Sequence, residues 1–284
     1  MAQRIFRGME ATVQTLHLYG AAGIVAFGWA MCRLLHCEAR PWLPFWFCAA
    51  LLMYNVDRLR RDPSDGLNIP KRAEAAQRLR PWSWLLVAIS ALTLVALPIA
   101  RRDWLTLALS TGGAMVCLNY SLPVRGFRLK DVPLLKTFFA PSLVIAAVFG
   151  LPLFHGRAQA TGLSLLIALW AWGILFSNMV LCDLRDIPGD RKCGVVSVPS
   201  RLGYSRTYVL LYGLAGFTGA LGALIALINR RYAMLWFWLA GLNSAYVGGL
   251  IVAARKAQSE RFYEWWVEGV LFVSAIVLAL AARP

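Results

Sequence analysis

Apolar residues in this chain run in long unbroken blocks separated by short charged segments, rather than alternating with polar residues at a helix or strand period. A helix rises about 1.5 Å per residue and the hydrocarbon core of a bilayer is about 30 Å thick, so blocks of about 20 apolar residues read as membrane-crossing helices. Nine blocks qualify, near 15–33, 41–57, 82–100, 103–121, 135–155, 161–182, 207–228, 233–253 and 263–281. They leave no room for a soluble domain. The pattern predicts one domain over 1–284, an all-α integral membrane protein built as a bundle of nine transmembrane helices.

Composition agrees, with 59% hydrophobic and 15% charged residues against roughly half and a quarter in soluble domains. The net charge of +15 is distributed by loop and forms no soluble basic patch for a duplex, which argues against nucleic acid as a partner. One face of the bundle carries only Arg33, Arg40, Arg101, Arg102, Arg157, Arg230, Arg231 and Arg283. The other basic residues, from Arg4 and Arg7 to Arg261, share the opposite face, which is therefore expected to be cytoplasmic. Arg4 and Arg7 ahead of an apolar stretch also fit a secretory signal, but with eight blocks behind it an uncleaved first helix is expected. The six cysteines show no metal-binding spacing and read as free thiols. His17, His36 and His155 are scattered and read as loop or interface residues.

Chemistry concentrates in the loops of the basic face. After the sixth block the chain reads Cys182-Asp183-Leu184-Arg185-Asp186-Ile187-Pro188-Gly189-Asp190-Arg191. On a helix Asp183 and Asp186 lie about 60° apart on one face, and Pro188 with Gly189 is expected to end that helix and fold Asp190 back toward them. Oxygen-only clusters of this kind suit hard cations such as Mg²⁺, and those metals usually serve a bound phosphate. The segment after the second block offers Asp57, Asp62 and Asp65, with Asp62 pushed off helical geometry by Pro63. A third segment, Tyr120-Ser121-Leu122-Pro123 followed by Arg125, Arg128, Lys130 and then Lys136, adds cations that can hold the oxygens of a polyphosphate. The loop around Arg255, Lys256 and Arg261 carries no recognisable chemistry.

These motifs resemble the UbiA superfamily of intramembrane prenyltransferases, and the likeness covers almost the whole chain. The run Asp183, Asp186, Asp190 is similar to the family's DxxDxxxD motif after helix six, with Gly194, Pro199, Leu202 and Gly203 trailing it. Tyr120-Ser121, Pro123, Arg128 and Lys130 resemble its Tyr-Ser-x-Pro and basic segment. The first motif departs from the family form NDxxDxxxD. Aligned on Asp57-Arg58, Met53 and Tyr54 take the Asn-Asp positions and Arg61 the last aspartate's, with Asp62 one place later; aligned on Asn55, Val56 replaces the first aspartate. Either way this site has fewer carboxylates than the family form.

The resemblance implies a nine-helix fold, Mg²⁺ as cofactor, and transfer of an isoprenoid chain from a prenyl diphosphate to a lipid-soluble or interfacial acceptor within the membrane lipid. Asp57, Asp62, Asp183, Asp186 and Asp190 would hold the metal, and Asp57, Asp183, Asp186 and Asp190 would be catalytic. Tyr120, Arg128, Lys130 and Arg191 would bind the substrate. A diphosphate head at the interface with its tail in hydrocarbon suits a helix bundle capped by acidic loops. Tyr54, Phe138, Phe139, Trp172 and Phe176 lie near the motifs and are candidates to face the allylic cation, though lipid-facing or core packing is the default reading of any one of them. Gly213, Gly216, Gly219 and Gly222 read as a smooth surface for close helix packing. A membrane terpene cyclase of the same superfamily stays open as an alternative. A transporter fits less well, since ionisable groups fall at helix ends and in loops rather than at the midplane.

Overall fold

The computed structural model describes residues 2–60, 62–256 and 258–281. Arg61 and Arg283 lie outside the described residues, as do the side chains of Arg4, Arg7 and Arg231. The chain is all-helical: α1 (Ala2–Thr15), α2 (Leu18–Leu34), α3 (Leu43–Leu59), α4 (Pro63–Asn68), α5 (Pro70–Arg78), α6 (Arg80–Ala100), α7 (Trp104–Ser121), α8 (Leu135–Phe154), α9 (Gly162–Lys192), α10 (Val198–Ile228), α11 (Ala233–Ala254) and α12 (Val270–Ala281). A π-helical turn, Phe262–Val267, leads into α12. All nine apolar blocks fall on helices.

Six segments among the described residues are long and apolar enough to cross a membrane: α6, α8, α9, α10, α11 and Phe262–Ala279. A seventh arises if Met9–Thr15 and α2, which meet at 62°, count as one span. The nine-span expectation is thus met only in part, for a physical reason. With 17 residues, α3 reaches about 25 Å, short of a 30 Å core. α7 is barely longer and carries Ser110, Thr111, Gly112, Gly113 and Asn119. The outer faces agree with a lipid solvent: α6 exposes Leu85, Ile89, Leu92, Val95 and Ile99, a surface that would be costly in water.

The chain divides into two compact units. The first comprises Met1–Val25, Trp42–Lys136 and Pro188–Val196. In it α3 packs against α6 and α7 and buries Phe45, Trp46, Leu51, Leu52 and Val56. The second comprises Ala26–Pro41, Thr137–Ile187 and Ser197–Pro284. In it α11 packs against α10 and α12, and α9 buries Trp170, Ile174, Leu181 and Leu184. Trp170 meets Trp236 edge-on at 5.4 Å.

Three expectations are corrected. Pro188 and Gly189 do not end α9, which continues through Asp190 to Lys192. Proline removes one helical donor, and the Gly189 N–H donates to Asn68 Oδ1 at 2.9 Å. A Cβ at Gly189 would lie 2.5 Å from that amide, so glycine here admits a neighbour. The stop falls at Gly194, with φ 72°, where Val195 N donates back to Asp190 O at 2.8 Å. This is the left-handed C-terminal cap that glycine favours.

His17 is not a bland loop residue. It is buried at the joint between α1 and α2, stacked on Tyr54 at 4.4 Å. Arg58 Nε donates to its Nε2 at 3.4 Å, and Arg72 Nη2, which also donates to Gln14 O, lies within 3.0 Å of its ring nitrogens.

The glycine stripe of α10 is only half a packing surface. Cβ atoms at Gly219 and Gly222 would meet Ser244 and Ala240 of α11, whereas Gly213 and Gly216 have nothing within 4 Å. A spacing of three falls about 60° short of a full turn at each step, so four such residues cannot share a face.

Candidate active site

In the first unit, two turns of chain deliver carboxylates to one place. α3 carries Asp57 in its last turn, and α4 begins at Asp62, whose extended backbone (φ −60°, ψ 127°) follows from the proline after it. The Asp62 side chain caps α4, accepting from Ser64 N at 3.1 Å and Ser64 Oγ at 2.8 Å. Asp65 accepts from Arg58 at 2.9 Å. A cavity of about 230 Å³ opens here, walled by Arg58, Asp62, Asp65, Gln77 and Arg80 and by apolar residues such as Leu59 and Ala76.

The basic segment after α7 closes onto these acids. Val124 and Phe127 bridge across Arg125 and Gly126, both at positive φ, which makes a tight hairpin turn. Its exposed tip then sends Arg128 and Lys130 inward, 8% and 5% exposed. Arg128 Nη1 donates to Asp62 Oδ2 at 3.2 Å, while its Nε and Nη2 grip Asp131. Lys130 Nζ lies 3.1 Å from Asp62 Oδ2 and 3.6 Å from Asp57 Oδ1. Ser121 Oγ donates to Asp57 Oδ1 at 3.0 Å, and Arg60 Nη1 to Ser121 O at 2.7 Å.

The electrostatics follow from burial and pairing. Burial would raise the Asp62 pKa, but the Lys130 charge and the Ser64 hydrogen bonds outweigh it and hold the carboxyl well below the usual range. Burial likewise works against a charged Lys130, yet Asp57, Asp62 and Asp65 together lift its pKa above the ordinary lysine value. Both groups are charged at neutral pH. At the end of α9, also in this unit, Lys136 Nζ donates to both oxygens of the buried Asp190 at 2.8 Å.

In the second unit α9 carries Asp183 and Asp186. Asp183 is 1% exposed and accepts from Thr137 Oγ1 at 2.6 Å; Thr137 Oγ1 in turn accepts from Val198 N at 3.0 Å. One threonine thus ties α8 and the start of α10 to the carboxylate. Asp186 Oδ1 accepts from Arg185 Nε at 2.7 Å, and the guanidinium lies over the Tyr263 ring at 5.0 Å. Further along α9, Phe176 stacks with Trp172 at 4.8 Å and meets Phe138 at 4.7 Å. Phe176 precedes Asp183 by seven residues, two turns on the same helix face or about 10 Å. Phe138 follows Thr137 in sequence, so α8 touches both the carboxylate and the aromatic stack.

Among the residues expected from sequence, Asp57, Asp62, Arg128 and Lys130 come together, and of the aromatic candidates Phe138, Trp172 and Phe176 do. Tyr54 stacks on His17 instead, Phe139 is buried in α8, Tyr120 is half-buried in the last turn of α7, and Arg191 is exposed near the end of α9. Sequence reasoning missed Ser64, Asn68 and Thr137, gave Ser121 and Arg185 no role, and read Lys136 as a cation for a polyphosphate rather than as the partner of Asp190. Ser121 and Lys136 had a signal, standing inside or beside the basic segment. Thr137 had none, because its partner lies 46 residues away.

Among the described residues no three carboxylate, imidazole or thiol side chains converge on a point that would hold a metal as they stand. The donor chemistry divides the candidates. Asp183, Asp186 and Asp190 are oxygen donors with several lone pairs each, at a helical spacing suited to a hard cation. Asp57 and Asp62 share the Lys130 ammonium and Asp190 takes that of Lys136 on both oxygens, whereas Asp183 is held by the Thr137 hydroxyl and Asp186 by the Arg185 guanidinium.

The UbiA prenyltransferase family model matches residues 46–276. Among solved structures the chain is similar to a UbiA homolog from Archaeoglobus fulgidus. One of that protein's structures is bound to GPP and Mg²⁺, with 18% identity, TM-score 0.67, and coverage of 95% of this chain and 97% of that one. Another is bound to DMAPP and Mg²⁺, with 15% identity, TM-score 0.61, and coverage of 94% and 99%. At these identities the structural likeness shows the fold. No curated protein matches. A family match over most of the chain, on helices that carry these motifs, places the protein in the UbiA prenyltransferase family.

Proposed function

We propose that the protein is an intramembrane prenyltransferase that moves an isoprenoid chain from a prenyl diphosphate to a lipid-soluble or interfacial acceptor, acting as one enzyme over its whole length. The observation that carries this reading is the sequence of surfaces along α9: carboxylates at its polar end and, two turns earlier, the stack of Phe138, Trp172 and Phe176. A diphosphate head and a hydrocarbon tail need those two environments in that order. In this reading all nine apolar helices enter the membrane, α3 and α7 with their polar ends at the interface, and the acidic loops face the cytoplasm.

Asp183, Asp186 and Asp190 are the residues that would hold Mg²⁺, which when bound supplies positive charge to the leaving diphosphate. Thr137 fixes the Asp183 carboxylate, and Arg185 fixes that of Asp186. Arg128, Lys130 and Arg191 offset the remaining charge of the head group, and Tyr120 closes its rim. As the allylic C–O bond breaks, its electron pair leaves with pyrophosphate, and fixed cations stabilise that charge without reorganising. The aromatic faces stabilise the carbocation by about 0.5–2 kcal/mol each and exclude water until the acceptor's nucleophile bonds to the allylic carbon and releases a proton.

The test is to supply the purified protein with a panel of prenyl diphosphates and candidate acceptors, with and without Mg²⁺, and to analyse extracted lipids by mass spectrometry. A prenylated acceptor that forms only with the metal is expected. No prenylated product and no diphosphate consumption across the panel would remove the reading.

A further inference from the structure

Lys130 sits between two aspartates of the first acidic cluster. Its ammonium spans Asp62 at 3.1 Å and Asp57 at 3.6 Å, and the residue is 5% exposed. The local charges come within one of balance, four carboxylates against three cations. Asp57 and Asp62 face Lys130 and Arg128, Asp65 faces Arg58, and the exposed Asp131 shares Arg128. A dication placed here would find a surplus of only one negative charge, and it would have to displace a buried ammonium from both of its carboxylate partners.

Sequence supports the same conclusion independently. Aligned on Asp57, the other two carboxylate positions of the full motif hold Tyr54 and Arg61; aligned on Asn55, the first holds Val56. A hard cation draws on several oxygen ligands, and of the three carboxylates here Asp57 and Asp62 are turned toward Lys130 and Asp65 toward Arg58.

We infer that Lys130 replaces a metal ion at the first acidic cluster, so that the protein takes a single divalent cation, on the carboxylates of α9, together with its diphosphate substrate. The inference rests on the proposed prenyl-diphosphate reading. An ammonium has three N–H donors, and here it faces both Asp57 and Asp62. The protein thus carries part of its catalytic charge covalently, and that part cannot be removed by a chelator.

The experiment is a titration of Mn²⁺, a spectroscopically visible substitute for Mg²⁺, into the purified full-length protein. An unreactive geranyl thiodiphosphate is present, and bound metal is counted by electron paramagnetic resonance. One Mn²⁺ per chain is expected. In Lys130→Met, checked for fold by circular dichroism, Asp57 and Asp62 are released and a second Mn²⁺ should bind. Asp57→Asn in the otherwise native chain should leave the count at one. Two Mn²⁺ in the native protein would overturn the inference and leave the proposed function standing, as would a folded Lys130→Met that still binds one. Where Lys130→Met fails to fold, the native count and Asp57→Asn decide. No bound Mn²⁺ and no bound analogue in the native protein would instead remove the prenyl-diphosphate reading itself.

Discussion

Asp62 is both the N-cap of α4 and the counter-ion of two buried cations. Asparagine caps a helix as well as aspartate does, so Asp62→Asn isolates the charge. Breaking a buried pair costs about 3–5 kcal/mol, and the lower end is expected because Lys130 keeps Asp57. The folded-state pKa of Asp62 is depressed, so its stabilisation is complete above the unfolded carboxylate value and is lost only as pH falls through the folded one. The gap in melting temperature between native protein and Asp62→Asn should therefore be constant over about pH 6–8; a gap that closes across that range would show Asp62 titrating there. On α9, Asp186→Asn keeps size and removes one charge from the carboxylates assigned to Mg²⁺. Turnover should drop on the order of 10²–10⁴-fold, and near-normal turnover in the presence of EDTA would eliminate a metal role. At this scale the sequence offers candidate residues but not whom they meet. A carboxylate before a proline is visible in the chain, but Lys130 is 68 positions beyond Asp62, and no local spacing selects it from 29 basic residues.

At the scale of the element, the apolar blocks predicted where helices lie and tertiary neighbours decided where they stop. Pro188-Gly189 reads as a terminator, yet α9 passes through both because Asn68, 121 residues away, takes the Gly189 N–H. That long-range contact has no sequence signature, whereas the true stop at Gly194 has one: a glycine two residues past the last helical position, at positive φ. The glycines of α10 make the same point. Gly222→Ala would place a methyl 2.3 Å from the Ala240 Cβ, and overpacking of this kind costs about 1–3 kcal/mol. Gly213→Ala meets open space and should gain about 0.5–1 kcal/mol of helix stability. Thermal unfolding in one detergent should move in opposite directions for the two variants. A loss of similar size in both would mean that the whole stripe packs.

For the whole molecule, the apolar blocks were legible because lipid imposes a length on every crossing, and each block does fall on a helix. Less legible was which helices fall short. In α3 and α7 the polar ends that shorten the apolar run are the same residues, Asp57 and Ser121, that meet at the candidate site. Sidedness is testable directly. In a cysteine-free background, single cysteines at Asn68, Arg125 and Lys192 should react with impermeant reagents from one side, and one near Arg230 from the other. Since Asn68 touches Gly189 at the end of α9, opposite labelling of Asn68 and Lys192 would contradict the fold as well as the proposed topology. The remaining question for the molecule is what attacks the cation. A transferase holds a second substrate beside the allylic carbon, so with prenyl diphosphate alone it releases pyrophosphate slowly, by leakage to water. A cyclase needs no partner but must fold the chain so that a distal double bond comes within roughly 3–3.5 Å of the cation. The stack of Phe138, Trp172 and Phe176 would stabilise charge in either case. Family membership favours transfer, and pyrophosphate release should therefore rise at least about tenfold, or about 1.4 kcal/mol in barrier, when the right acceptor is added, with a prenylated acceptor as product. Fast release without acceptor, accompanied by a cyclic hydrocarbon or terpene alcohol, would falsify transfer and establish the cyclase.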